Sequence, residues 1–113
     1  MKMIKETIFI NENHKEYEIL IGKNKFENQE LIITSYSNDI WFHLNNYPSC
    51  HIVLKSGDDK IPKKYLISIA RKFQNYKKDL PKKYEVIYTN IKNIKLTDII
   101  GTVIPQNSKI IKI

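Results

Sequence analysis

Two short runs rich in β-branched and aromatic residues, 7–10 and 17–21, flank the polar segment NENHKE. That pattern predicts an antiparallel hairpin with a long loop, in which His14 is solvated. Gly22 follows the second run, and Phe26, Glu30 and Ile33 then recur near helical spacing. A short helix over 28–34 follows from that spacing, with Asn24 as its cap and Gly22 supplying a positive-φ turn into it. Residues 40–44 and 50–55 form the next predicted strand pair, joined by NNYPS. The segment SGDDK breaks the pattern. Pro62 opens a second helix, where a missing N–H does no harm. Leu66, Ile69, Ala70, Phe73, Tyr76 and Leu80 make one apolar stripe along it, with Lys64, Arg71, Lys72 and Lys78 off the stripe and Pro81 at its end. Residues 84–89 alternate as a strand, and Lys92 and Lys95 follow in a loop. Residues 101–104 and 110–113 read as a closing hairpin around PQNS. The order β-β-α-β-β-α-β-β-β predicts an α+β fold: one domain over 1–113, with a largely antiparallel sheet packed against one main amphipathic helix plus a short helix. No internal repeat or linker interrupts it.

The middle strand pair concentrates unusual chemistry. Antiparallel pairing around the five-residue connection sets His43 opposite His51 and Trp41 opposite Val53. One face then carries Ile40, Phe42, Leu44, Cys50, Ile52 and Leu54. The other carries Asp39, Trp41, His43, His51 and Lys55. This register decides the metal question. Thiolate and imidazole suit zinc, but Cys50 points away from both histidines, and two histidines alone make a poor site. No metal and no cofactor are expected, and Cys50 is expected to be a small buried apolar residue.

Composition adds a class and a polarity. A chain of 113 residues with 42% hydrophobic and 11% aromatic residues is a folded globule. One cysteine and no secretory segment predict an intracellular, cytoplasmic protein. No apolar run is long enough to span a bilayer. The net charge is +7 and lies entirely in the second half: residues 1–57 sum to −1 and residues 58–113 to +8. Such a field attracts polyanions, nucleic acid first. A chain this rich in Ile, Asn and Lys is also what A/T-rich codons would encode, so composition alone would explain part of the basicity. Arg71 is the sole arginine. Lysines meet phosphates as point charges, so nucleic acid would be held by backbone and shape rather than by base sequence.

The polar face allows three readings. It is a half-buried sheet face whose indole and imidazoles find internal partners. It is a binding platform, with Trp41 stacking a base while His43, His51 and Lys55 donate to phosphate. Or it is a small metal-independent ribonuclease, with His43 and His51 as base and acid and Lys55 steadying the oxyanion.

Over about nine-tenths of the chain, these residues resemble the NFACT-R domain. That domain lies at the centre of the NFACT proteins of ribosome-associated quality control and also occurs as small free-standing proteins. The matching positions are Gly22, Lys23 and Asn24; Asn28, Glu30 and Leu31; Asp39, Trp41, Phe42 and His43; Pro48, His51 and Val53; and the late Tyr88, Thr89, Lys92, Ile94 and Lys95. The family's P-G-S-H reads Pro48-Ser49-Cys50-His51 here, and its later glycine-rich segment is shortened to LTDIIGTV, keeping Gly101. The resemblance implies a non-catalytic RNA-binding module acting on ribosomal or transfer RNA, with the ribosome as a possible partner. Trp41, His43 and His51 would form the platform, with Lys23, Asn24, Asp39 and Lys55 as further nucleic-acid-binding residues. Lys64, Lys72, Lys78, Lys92 and Lys95 would contact phosphates. Two alternatives stand beside it: the ribonuclease, and a protein-interaction adaptor whose basic half is compositional.

Overall fold

The computed structural model describes residues 3–113. Ten regular elements follow in chain order: β1 (Ile4–Ile10), β2 (Lys15–Gly22), α1 (Lys25–Thr34), β3 (Ile40–Leu44), β4 (His51–Leu54), α2 (Lys63–Ala70), β5 (Glu85–Asn90), β6 (Ile94–Leu96), β7 (Val103–Pro105) and β8 (Lys109–Lys112). Six strands form one sheet in the order β1-β2-β4-β3-β5-β8, with every neighbouring pair antiparallel. The expected α+β class holds.

The sheet buries both faces. On one, Phe42, Leu44, Ile52 and Leu54 pack against Leu66, Ile69 and Ala70 of α2 and against Phe73 beyond it. On the other, Trp41 and Val53 pack against Leu31 and Ile32 of α1 and against Ile91. The short helix α1 is therefore not an accessory. It seals the face that the sequence leaves half open.

Asn24 caps α1 as expected. Its Oδ1 accepts the N–H groups of Phe26 and Glu27, each at 3.0 Å. Glu27 reaches back to accept the Lys23 N–H at 2.8 Å, a capping-box arrangement shifted by one residue. The helix starts three residues earlier than its spacing predicts.

Three expectations are corrected. Gly22 does not adopt positive φ; only Gly57 and Gly101 do so among the glycines. A Cβ at Gly22 would instead collide with Asn28 Oδ1, so the glycine exists for close approach of α1. The long second helix is α-helical only to Ala70 and then tightens to a 3₁₀ turn over Arg71–Asn75. At that junction the Ala70 carbonyl accepts the Tyr84 hydroxyl at 3.3 Å. Tyr76 and Leu80 still pack on the core from beyond the helix.

The closing hairpin does not form. β7 pairs with β6, and β8 pairs with β5. The chain parts at Asn107, which sits at φ 53, while the Thr89 hydroxyl donates to the Gln106 carbonyl at 2.9 Å. Lys92 thus lies in a 3₁₀ turn and Lys95 in β6, rather than in one loop.

Candidate nucleic-acid interface

β3 and β4 pair as the sequence predicts, with Trp41 opposite Val53 and Phe42 opposite Ile52. Continuing outward, the His43 and His51 rings approach edge to face, 5.2 Å apart. Cys50 packs with the α2-side core, away from both imidazoles, and burial pushes its thiol up to about 11. It is partly rather than fully buried.

The exposed aromatic platform is corrected. Trp41 is 1% exposed, so its faces are closed to a base. His43 lies flat against the indole at 5.6 Å, and α1 closes the remainder. The indole has a positioning role instead. Its Nε1–H donates to His51 Nδ1 at 3.1 Å, which fixes His51 as the Nε2–H tautomer. His43 Nδ1 lies 2.6 Å from the Leu44 carbonyl. A carbonyl only accepts, so Nδ1 carries the proton, and neutral His43 presents a bare Nε2.

Both rings are held neutral. Burial lowers the His51 pKa to about 3, with His43 adding to the shift, and burial lowers that of His43. Neither Nε2 atom has a protein partner among the described residues. Since no sealed side-chain nitrogen or oxygen there lacks a partner, both Nε2 atoms reach open space. Both histidines line a cleft of about 440 Å³ between the β3–β4 turn (Asn45, Asn46, Tyr47, Pro48) and the segment Gly101–Pro105.

The other signature residues build the frame. Asp39 is 1% exposed. It binds Lys55 Nζ at 2.8 Å and accepts the N–H groups of Gly57 at 2.8 Å and Tyr36 at 2.9 Å. Lys55 is thereby committed to Asp39 and does not line the cleft. Asn28 Oδ1 accepts the His51 N–H at 3.2 Å, through the space that Gly22 leaves open. Gly101, at φ 80, donates to Gln29 Oε1 at 3.0 Å, and a Cβ there would meet Lys25 Cβ at 2.7 Å. Ser49 costs the turn no strain. Asn46 takes the positive φ, and the Ser49 hydroxyl accepts the Leu44 N–H at 3.2 Å and donates to the Cys50 carbonyl.

A family model described as the NFACT protein RNA-binding domain matches residues 5–112. The chain belongs to the NFACT RNA-binding domain family. Among relatives of this NFACT-R chain, coiled-coil domain-containing protein 25 of Bos taurus is 34% identical over 91 residues, covering 75% of this chain and 44% of that one. The Danio rerio protein of the same name is 33% identical over 87 residues, covering 72% of this chain and 42% of its own. Protein JLP2 of Saccharomyces cerevisiae is 51% identical over 41 residues, covering 34% and 20%. The chain spans less than half the length of these curated relatives. The C-terminal part of the fibronectin/fibrinogen-binding protein from Streptococcus suis shares the NFACT-R fold. Its TM-score is 0.75 at 22% identity, over 100% of this chain and 46% of that one. Membership supports a general RNA-binding role. No helix among the described residues is long and apolar enough to cross a membrane.

The predicted phosphate contacts divide. Lys64 pairs with Glu12 at 3.0 Å, Lys72 with Glu6 at 2.6 Å, and Lys23 more loosely with Glu27 at 3.9 Å. Lys78, Lys92 and Lys95 are exposed and make no ion pair among the described residues. Two groups escape the sequence reading. Tyr47, 39% exposed on the cleft wall, is the accessible aromatic that Trp41 is not; its only sequence signal is an aromatic between the two histidines, beside a proline. Lys83 and Lys112 flank a concavity at Glu85, and Glu85 holds the cleft wall through its carbonyl and carboxylate, both bonded to Asn45 at 2.9 Å.

Proposed function

We propose that this NFACT-R domain holds ribosomal or transfer RNA in the cytoplasm, near the ribosome, mainly through lysine–phosphate contacts and without catalysis. The observation that carries the reading is the position of unpaired cations. Lys82 and Lys83 lead into β5 at Glu85, next to the cleft wall, and Lys112 pairs across from Glu85 on β8. Of the cations in residues 58–113, only Lys64 and Lys72 make ion pairs among the described residues. Lys78, Lys92 and Lys95 are further exposed cations of this half that make no ion pair among the described residues. Family membership supports RNA as its target, and ribosome-associated quality control is the setting the resemblance suggests.

The ribonuclease reading has less support. Cleavage by an imidazole pair needs one ring charged as the acid. Burial lowers the pKa of both rings, and protonating His51 Nδ1 would break the bond from Trp41. Lys55 is spent on Asp39.

The test is titration of labelled single-stranded RNA at two salt concentrations, with wild type and a Lys82→Ala/Lys83→Ala variant. Affinity should fall steeply with salt, and the logarithmic slope should shrink by about 0.7 for each phosphate contact removed. Absent affinity, or affinity indifferent to salt, overturns the proposal. RNA left intact after incubation with wild type is the expected control; cleavage that His43→Ala abolishes would restore the enzyme reading.

A further inference from the structure

We propose that the cleft between the β3–β4 turn and Gly101–Pro105 takes one unpaired base of the bound RNA, with its edge on the His43 and His51 Nε2 atoms and its ring against Tyr47. The proposal rests on the RNA-binding reading and goes beyond it, since phosphate contacts alone require no cleft.

Charge excludes the obvious competitor. No lysine, arginine, aspartate or glutamate lines the cleft. Its two imidazoles are neutral. A phosphate or carboxylate inserted there would lose its water and gain no countercharge. The lining suits a neutral, flat, hydrogen-bonding group. At about 440 Å³ the space falls within the range of small-ligand sites.

The polar floor offers the two kinds of group that a base edge needs. Because Trp41 donates to His51 Nδ1, His51 offers an Nε2–H donor. Because His43 gives its Nδ1 proton to the Leu44 carbonyl, His43 offers an Nε2 acceptor. The floor is thus one donor beside one acceptor, set by two internal bonds. Every base carries an acceptor next to a donor on its Watson–Crick edge: N1 and the 6-amino group of adenine, N3 and the 4-amino group of cytosine, O6 and N1–H of guanine, O4 and N3–H of uracil. The floor therefore accepts any of them and discriminates weakly. A base in a duplex has that edge occupied, so the cleft selects unpaired RNA. Tyr47, exposed on the wall beside Pro48, supplies the stacking surface.

The experiment compares a short single-stranded RNA with an oligomer of the same length and sugar-phosphate backbone whose residues lack bases. Both are titrated against wild type, Tyr47→Ala and His43→Leu at two salt concentrations, after a melt confirms that each variant folds. Base insertion predicts about tenfold weaker binding of the abasic oligomer at an unchanged salt slope. It also predicts that each variant weakens binding of ordinary RNA and leaves abasic binding as it was. Equal affinities for the two oligomers with a steep salt slope would overturn base insertion and leave phosphate binding standing. No binding of either would overturn both. Tyr47→Ala sits on the exposed rim, so its result remains interpretable if His43→Leu does not fold.

Discussion

Mild acid should destabilise this domain through His51. Burial and the neighbouring His43 hold its pKa at about 3, against an ordinary 6.5. Between those values the unfolded chain takes up a proton that the folded chain does not. Stability therefore rises with pH across this window and is lost as pH falls below the unfolded value. At pH 5, this one ring lowers the unfolding free energy by about 2 kcal/mol relative to pH 8. His43 is shifted in the same direction for the same reason and adds to the loss. The carboxylates do not confuse the window. Glu6, Glu12 and Asp59 are depressed by their lysine and tyrosine partners, so their contributions remain nearly whole above about pH 5 and fade only in stronger acid. Urea unfolding at pH 8 and pH 5, followed by the fluorescence of the sole tryptophan, measures the difference. His51→Gln keeps an acceptor for the indole but has no proton to gain, so its pH dependence should be shallower. Stabilities within about 0.5 kcal/mol of each other at the two pH values, or an equally steep His51→Gln, would refute the reasoning.

Two substitutions probe the frame. Gly22→Ala drives a methyl into Asn28 Oδ1, displacing the acceptor of the His51 N–H; a loss of about 1–3 kcal/mol in urea unfolding is expected, and a neutral result would mean α1 can shift freely. Asp39→Asn strands the Lys55 ammonium, whose side chain is 19% exposed, and should cost about 3 kcal/mol; adding Lys55→Met should recover much of that, and an additive double variant would show the pair is not coupled.

The β3–β4 register was legible because strand alternation and a five-residue turn leave one arrangement that aligns both apolar faces. The burial of Trp41 was not, because α1 carries no clean apolar stripe. It buries Leu31 and Ile32 together with Glu27 and Asn28, while Phe26 and Ile33 face out. Periodicity therefore could not say which side it covers. The partners of β7 and β8 were illegible for a different reason: strands of three and four residues hold too little pattern to choose a neighbour. The fates of Lys64 and Lys72 depended on Glu12 and Glu6, more than fifty residues earlier, and only the folded sheet brings them together. The cleft shares that non-local origin. Its histidines were visible, but its opposite wall comes from Gly101–Pro105, which the sequence assigned to a hairpin that does not form.

The order β1-β2-β4-β3-β5-β8 places the fourth strand between the second and third, so His51 has Gly22 on one side and the Trp41 strand on the other. The hydrogen bond from Trp41 that orients the His51 imidazole exists only once β4 has paired with β3, whereas His43 is oriented by its own neighbour, Leu44. A half-assembled chain would keep its lysines and lose its cleft. Nascent or damaged copies should thus cling to RNA in a loose, charge-driven way while losing any preference for strands with free bases, and that preference becomes a gauge of finished folding.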